Sequence, residues 1–148
     1  MVKYLRDISL KNKIVVVTGA TKGIGRSTSV AMHQVGAFII AIGRNTIDLK
    51  SLKKKLKKRI RCIECDVNDY EKISKIIKSL KRIDILVNNA GTNLPEPFLK
   101  VKKTSLEMLL NTNTKAAFNM AKLCTDKMLK LKNRKKIGGS IIHTSSMF

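Results

Sequence analysis

A glycine-rich turn near the start of the sequence has the residue types that bind a phosphate group. The turn, T-G-A-T-K-G-I-G at positions 18–25, directly follows a short β-branched run and opens a helical stretch. Gly19 permits a tight turn, Gly23 lets the backbone approach a phosphate closely, and Gly25 lets the helix and the strand pack. The free N–H groups at the start of the helix then attract a pyrophosphate. The sequence therefore predicts a dinucleotide site here, in preference to a purely structural glycine turn.

A basic position follows the next apolar run. Proteins that bind NAD usually place an acidic residue about 20 residues beyond the glycines, where it binds a ribose hydroxyl. This sequence has Gly43-Arg44-Asn45 there, without a carboxylate. The planar fork of Arg44 suits a 2′-phosphate, and Lys22 in the glycine turn adds a second cation. The pattern predicts NADP(H) as the cofactor, against the alternative that Arg44 is an ordinary surface charge.

These polar positions need elements that bring them to one edge of a sheet. Short apolar runs alternate with amphipathic stretches in the order β-α-β-α-β-α-β-α-β. Right-handed crossovers then predict one domain over residues 1–148, a doubly wound parallel α/β sheet of the Rossmann type that stops after its fifth strand. Predicted strands cover residues 14–17, 37–42, 60–65, 83–87 and 140–144, and predicted helices cover 25–35, 46–58, 69–80 and 104–131, the last with a break near Asn111.

Composition limits the other functional classes. The 148 residues include 31 Lys and Arg against 10 Asp and Glu, a formal charge of +21. With only 4% aromatic residues there are few platforms for stacking bases, so we interpret the charge as solvated helix faces and expect no specific nucleic-acid partner. No apolar run approaches the roughly 18 residues of a membrane span, and no signal core precedes the first strand. We therefore expect a cytoplasmic protein without a membrane partner.

The cysteines and histidines do not predict a metal site. Cys62 and Cys65 lie three apart on a predicted strand, so their side chains should point to opposite faces and cannot clasp one ion. Three cysteines in all, without framework spacing, argue against a disulfide scaffold. We interpret His33 and His143 as structural residues, and the sequence suggests no partner for His143.

The glycine spacing T-G-x-x-x-G-x-G resembles the short-chain dehydrogenase/reductase family, and three later segments support this across essentially the whole chain. They are C-D-V at 65–67, N-N-A-G at 88–91 and G-S-I-I-H-T-S-S at 139–146. The resemblance implies that Asp66 contacts the adenine ring with Val67 beside it, and that the N-N-A-G segment steadies the sheet and lines the cofactor pocket. The predicted cofactor-binding residues are Gly19, Thr21, Lys22, Gly23, Ile24, Gly25, Arg44, Asn45, Asp66, Val67, Asn88, Ala90 and Gly91.

The same resemblance implies a catalytic role for two residues of this sequence. Ser146 aligns with the serine that hydrogen-bonds the substrate carbonyl, with its neighbour Ser145 as the alternative. Asn113 aligns with the asparagine that helps to hold a water-linked proton relay, with Asn111 as its rival. The family's Tyr-x-x-x-Lys pattern should follow the serine, but the only two tyrosines, at positions 4 and 70, are elsewhere. We therefore expect a chain that lacks its general acid and is almost inactive alone.

Finer details resemble the branch of carbonyl and L-xylulose reductases. The segment between residues 66 and 88 is short, and Lys22, Arg44, D-L-K-S-L at 48–52 and P-F-L at 97–99 fit that branch. The resemblance implies a small-molecule carbonyl substrate, a ketose or an α-dicarbonyl, and a homo-oligomer for the full-length form. Two alternatives remain open: a 3-oxoacyl-carrier-protein reductase, and a non-catalytic nucleotide-binding module.

Overall fold

The computed structural model describes residues 8–132 and 138–145, which form a five-stranded parallel sheet. The strand order is β3-β2-β1-β4-β5, so the chain builds outwards from β1 in one direction and then crosses to the other side. This arrangement confirms the predicted doubly wound sheet. The strands are β1 Ile14–Thr18, β2 Phe38–Gly43, β3 Ile60–Glu64, β4 Ile85–Asn88 and β5 Ser140–His143.

Helices cover both faces of the sheet because the central strands are apolar on both sides. Along β1, Val15 and Val17 pack into one core cluster and Val16 into the other, as strand alternation requires. The first cluster includes leucines of α2, and the second includes isoleucines of α3 and buried side chains of α5. The helices are α1 Gly23–Gln34, α2 Thr46–Leu56, α3 Tyr70–Ser79, α4 Lys103–Leu109 and α5 Ala116–Leu129.

Several predicted boundaries are off by one or two residues, and two have a clear cause. Helix α2 ends at Leu56, earlier than predicted, because Lys57 turns to a left-handed φ of 60°. Strand β4 begins at Ile85 rather than at residue 83. Just before it, the buried carboxylate of Asp84 accepts a hydrogen bond from the Ile14 N–H at 2.9 Å and pairs with Arg82 at 2.8 Å. Asp84 thereby ties the entry of β4 to the start of β1.

The predicted long helix is divided by a π-helical segment, Leu110–Lys115. The predicted break near Asn111 falls within it. Two side chains of this segment bond to neighbouring loops: Thr112 accepts from Asn68 at 3.0 Å, and Asn113 bonds to both backbone groups of Thr92. These bonds hold the segment against the loops that follow β3 and β4, at the carboxyl ends of the strands. Asn113 thereby lies against the loop after β4.

The crossover between the two directions of the sheet places a crevice beyond the carboxyl ends of β1 and β4. In open α/β sheets this topological switch point is where ligands bind. Within residues 8–132 and 138–145, no helix is long and apolar enough to cross a membrane.

Candidate nucleotide-binding site

The glycine turn links the end of β1 to α1 through a tight approach of its own backbone. Gly19 has a φ of +63°, in the left-handed region that favours glycine. A Cβ on Gly25 would overlap the carbonyl oxygen of Gly19, so helix α1 starts in direct contact with the turn. A Cβ on Gly23 would meet no atom within 4 Å, which leaves its backbone open to the cleft. Gly25 therefore packs against the turn itself, whereas we had expected it to pack against the strand.

A buried threonine joins this turn to the end of β4. The hydroxyl of Thr18, which is fully buried, accepts hydrogen bonds from the N–H groups of Asn89 and Ala90, each at 3.0 Å. In return, Asn89 Nδ2 donates to the carbonyl oxygens of Thr18 and Gly19, at 3.2 and 3.3 Å. Neither Thr18 nor Asn89 was among the predicted site residues, although the T-G and N-N dipeptides in the two motifs could have indicated this clamp.

Asn88 faces away from the cleft. Its Nδ2 donates to the Ala117 carbonyl oxygen at 2.7 Å and lies 3.5 Å from His143 Nδ1, so Asn88 connects β4 to α5 and to β5. The expectation that His143 has no partner was therefore wrong. His33, the other histidine, lies with its Nε2 at 2.8 Å from the Lys58 carbonyl oxygen, which ties the end of α1 to the segment after α2.

The crevice is a cleft of about 470 Å³ at the carboxyl ends of β1, β2, β3 and β4. Most of the predicted cofactor-binding residues line it. Three of them do not: Ile24, Gly25 and Asn88. The residues along the cleft are Gly19, Thr21, Lys22, Gly23, Gly43, Arg44, Asn45, Asp48, Cys65, Asp66, Val67, Asn89, Ala90, Gly91 and Thr112.

Each predicted phosphate-binding cation faces a carboxylate across the cleft. Lys22 Nζ lies 3.6 Å from Asp48 Oδ2, and Arg44 Nη1 lies 3.6 Å from Asp66 Oδ2. The two basic side chains are about three-quarters exposed, at 76% and 75%, so both can swing towards a ligand. The end of β2 has no carboxylate, as the sequence indicates, but Asp48 in the first turn of α2 supplies one to the same cleft. Asp48 was not among the predicted site residues.

The loop after β3 links the cleft to the π-helical segment. Asp66 Oδ1 accepts from the N–H of Asn68 at 2.9 Å and from its Nδ2 at 3.1 Å, and that Nδ2 also donates to Thr112. One residue further along, Asn113 accepts from the Thr92 N–H and donates to the Thr92 carbonyl oxygen, both at 2.9 Å. The hydrogen bonds thus connect the predicted adenine contact to the segment that carries the predicted catalytic asparagine.

The other predicted catalytic residue is Ser146, and Ser145 and Asn111 are the alternatives to Ser146 and Asn113. Ser146 is outside the described residues. Its alternative, Ser145, is exposed just beyond β5, and Asn111 is exposed and borders a separate cleft between the loop after β3 and helices α4 and α5.

The cysteines are separated as the strand pattern predicted. Cys62 packs with one core cluster and Cys65 with the other, on opposite faces of the sheet. Burial raises the pKa of both thiols, and it raises the pKa of the fully buried Cys124 to about 12. Among the residues that the structure describes, no group of three or more His, Cys, Asp or Glu side chains could hold a metal ion.

The cleft fits a phosphorylated nucleotide in its donor chemistry. Open backbone at Gly23, the start of α1 and two exposed cations suit phosphate groups. A helix start after a glycine turn, at the switch point of a parallel sheet, is typical of nucleotide-binding α/β domains.

The chain belongs to the short-chain dehydrogenase family, whose model matches residues 13–148. This is a family of oxidoreductases that use nicotinamide cofactors. The chain is 34% identical to the L-xylulose reductase of Mesocricetus auratus over 140 residues, and 34% identical to carbonyl reductase [NADPH] 2 of Sus scrofa over 132 residues. It is also 32% identical to the 3-oxoacyl-[acyl-carrier-protein] reductase of Thermotoga maritima over 145 residues.

The alignments cover most of this chain but only about half the length of each relative. The three alignments cover 95%, 89% and 93% of the chain but 55%, 52% and 57% of the relatives. Among solved structures, a short-chain type dehydrogenase/reductase from Mycobacterium marinum superposes with a TM-score of 0.84 at 26% identity, over 94% of this chain and 57% of that one. The predicted resemblance to the family, and to its carbonyl and xylulose reductase branch, is confirmed.

Proposed function

We propose that the chain forms the NADP(H)-binding part of a carbonyl reductase. The observation that carries the cofactor choice is the pair of cations, Lys22 and Arg44, that line the cleft after β1 and β2. A 2′-phosphate gains charge-assisted hydrogen bonds from both, whereas a ribose hydroxyl gains little from either. When bound, the cofactor supplies the hydride. The residues of the glycine turn that line the cleft hold its phosphates, and Asp66 and Val67 contact its adenine.

The catalytic half of the proposal rests on Asn113 and Ser146. Ser146 hydrogen-bonds the substrate carbonyl oxygen, and Asn113 helps to hold the water-linked proton relay. The fixed orientation of Asn113 against Thr92 supports its role, as does its place in a π-helical segment, since such segments are frequent at functional sites. No Tyr-x-x-x-Lys pattern is present among the 148 residues, so the chain alone binds the cofactor without turning it over.

The substrate is a ketose or an α-dicarbonyl, taken from a cytoplasmic pool by a homo-oligomeric full-length form. The similarity to an L-xylulose reductase and a carbonyl reductase supports this class. The similarity to an acyl-carrier-protein reductase favours a second candidate, a 3-oxoacyl thioester delivered by an acidic carrier, which a chain of formal charge +21 would attract. A non-catalytic nucleotide-binding module is the third candidate, and it predicts binding with no turnover in any form.

Kinetics on a longer form of the protein that includes a Tyr-x-x-x-Lys segment would separate these candidates. We expect higher kcat/KM for xylulose or diacetyl than for an acetoacetyl thioester, and a loss of at least about a hundredfold in Ser146→Ala. Ser145→Ala is the matched control and should retain activity. A preference for the thioester would select the second candidate, and no turnover of any carbonyl would select the third.

A further inference from the structure

Asp48 combines three properties that its place in the helix does not explain. It lies in the first turn of α2, where an acidic side chain interacts favourably with the helix dipole and Asn45 caps its N–H at 3.0 Å. A carboxylate with only that role would normally point to water. Instead, Asp48 Oδ2 is buried without a hydrogen bond, borders the nucleotide cleft, and lies 3.6 Å from Lys22 Nζ.

The backbone of Asp48 is fixed in this position. Arg26 Nη1, on α1, donates to the Asp48 carbonyl oxygen at 3.1 Å and to the Thr21 carbonyl oxygen at 3.4 Å, while its Nη2 donates to Ser51 Oγ at 3.0 Å. The guanidinium thus links the glycine turn to the first turns of α2. These bonds hold the start of α2 beside the glycine turn, so a group that contacts Lys22 in its present position lies close to the Asp48 carboxylate.

We propose that Asp48 sets the degree of cofactor selectivity by opposing the 2′-phosphate that Lys22 and Arg44 attract. This inference rests on the proposed function. A buried acceptor without a hydrogen bond is costly, so Asp48 gains from a hydroxyl donor but is destabilised by a phosphate anion. The carboxylate also competes with the phosphate for Lys22. Asp48 therefore weakens NADPH binding and leaves the cleft able to accept the free ribose hydroxyl of NADH.

The test is a titration of the 148-residue chain with NADPH and with NADH. The chain has no tryptophan, so the nicotinamide fluorescence of the ligand can be followed without energy transfer from that residue. Asp48→Asn keeps the shape of the side chain and removes its charge. We expect this variant to bind NADPH about fivefold more tightly at low salt and NADH equally or more weakly, with the difference shrinking as salt is added.

Two further variants make the result specific. Asp126→Asn removes the same charge from an exposed site on α5, where it pairs with Lys130, and should change neither affinity by more than about twofold. Asp48→Glu retains the charge and should keep the NADPH-to-NADH ratio within about twofold of the wild type. If Asp48→Asn lowers the melting temperature, its cofactor affinities are compared with those of Asp48→Glu, which changes the same residue but keeps the charge.

The outcomes distinguish the two proposals. If the wild type binds NADPH more tightly than NADH but Asp48→Asn leaves the ratio unchanged, or weakens NADPH, the role of Asp48 is overturned and the proposed function stands. If the wild type shows no preference for NADPH, the proposed cofactor choice fails first, and the role of Asp48 fails with it.

Discussion

Strands β1 and β5 belong to the same parallel sheet, but they differ sharply in burial. Val15, Val16 and Val17 of β1 are fully buried between helices on both faces. In β5, Ile141 and Ile142 remain 37% and 44% exposed, and every residue of the strand is exposed. The nucleotide side of the cleft is therefore supported by a complete core, whereas within the described residues β5 contacts the sheet mainly along one edge. A group bound at the glycine turn therefore lies beside a fully buried strand, whereas a group beside β5 does not.

The largest effect should come from Gly25→Ala. The added methyl group overlaps the Gly19 carbonyl oxygen and approaches Asn89 Nδ2 at 2.5 Å, so the turn must open. We expect a loss of about 3 kcal/mol in the free energy of unfolding, from overpacking, together with loss of NADPH binding. Gly23→Ala is the comparison: its methyl group meets no atom, so its left-handed φ should cost only about 1 kcal/mol while binding is still lost. Equal stability losses in urea denaturation would contradict this account of the turn.

Arg44→Asp should have the next largest effect, on binding alone. The substitution replaces the fork that pairs with a 2′-phosphate by a carboxylate beside Asp66, so the NADPH-to-NADH affinity ratio should fall about a hundredfold. Arg61→Asp, an exposed position on β3 outside the cleft, makes the same charge change and should alter the ratio by less than about threefold. Calorimetric titration measures both. A similar decrease in the two variants would mean that overall charge, rather than a site, attracts the phosphate.

Thr18→Val tests the clamp between β1 and β4. The substitution removes the acceptor of two N–H groups, those of Asn89 and Ala90, and leaves them unpaired at the base of the cleft. We expect a loss of about 2–3 kcal/mol in the free energy of unfolding, measured by urea denaturation. Thr125→Val, at an exposed position of α5, is the control and should cost less than about 0.5 kcal/mol. A Thr18 variant as stable as this control would show that other donors and acceptors replace the clamp.

Shortening one side chain in β1 and one in β5 compares how much each strand contributes to stability. Val16→Ala removes two buried carbons and should cost about 2 kcal/mol, since the sheet centre cannot collapse around them. Ile142→Ala removes three carbons, but from a side chain that is 44% exposed, and should cost less than about 1 kcal/mol. Thermal unfolding of the two variants under the same conditions gives the comparison. A larger loss at Ile142 would mean that β5 is covered in solution.

The effect that is smallest at neutral pH concerns the cysteines, because it appears only when the pH rises above 9. Because burial raises the pKa of Cys124 to about 12, its thiol stays protonated in the folded state while the unfolded chain ionises near the usual value of 9.0. The folded state therefore loses stability as pH rises from 9 towards 12, by up to about 1.4 kcal/mol per pH unit from this one group. At neutral pH, an alkylating reagent should label the half-buried Cys62 before Cys124. Mass spectrometry of partly labelled protein tests the order, and faster labelling of Cys124 would place it on a surface.

The sequence predicts the framework well because its signals are local. Buried β-branched runs, the glycine turn and the helix stripes predict the alternation of strands and helices and most of the cleft, and strand alternation places Cys62 and Cys65 on opposite faces. The clamp at Thr18 and the carboxylate of Asp48 depend on contacts between distant segments, and residue types alone do not reveal them. Residue types alone do not reveal the π-helical segment either, because its side chains bond to distant residues. Asn68 and Thr92 are 44 and 21 residues away from their partners in this segment.

The most direct test of the central claim is an NMR titration of the labelled chain with NADPH and NADH. We expect the amide signals of Gly23, Arg44 and Ala90 to shift on addition of either cofactor and to saturate at a much lower concentration of NADPH. Signals of Ile141 and Ile142 should move little. Shifts confined to the lysine-rich stretch 50–58, or equal saturation by the two cofactors, would contradict the central claim.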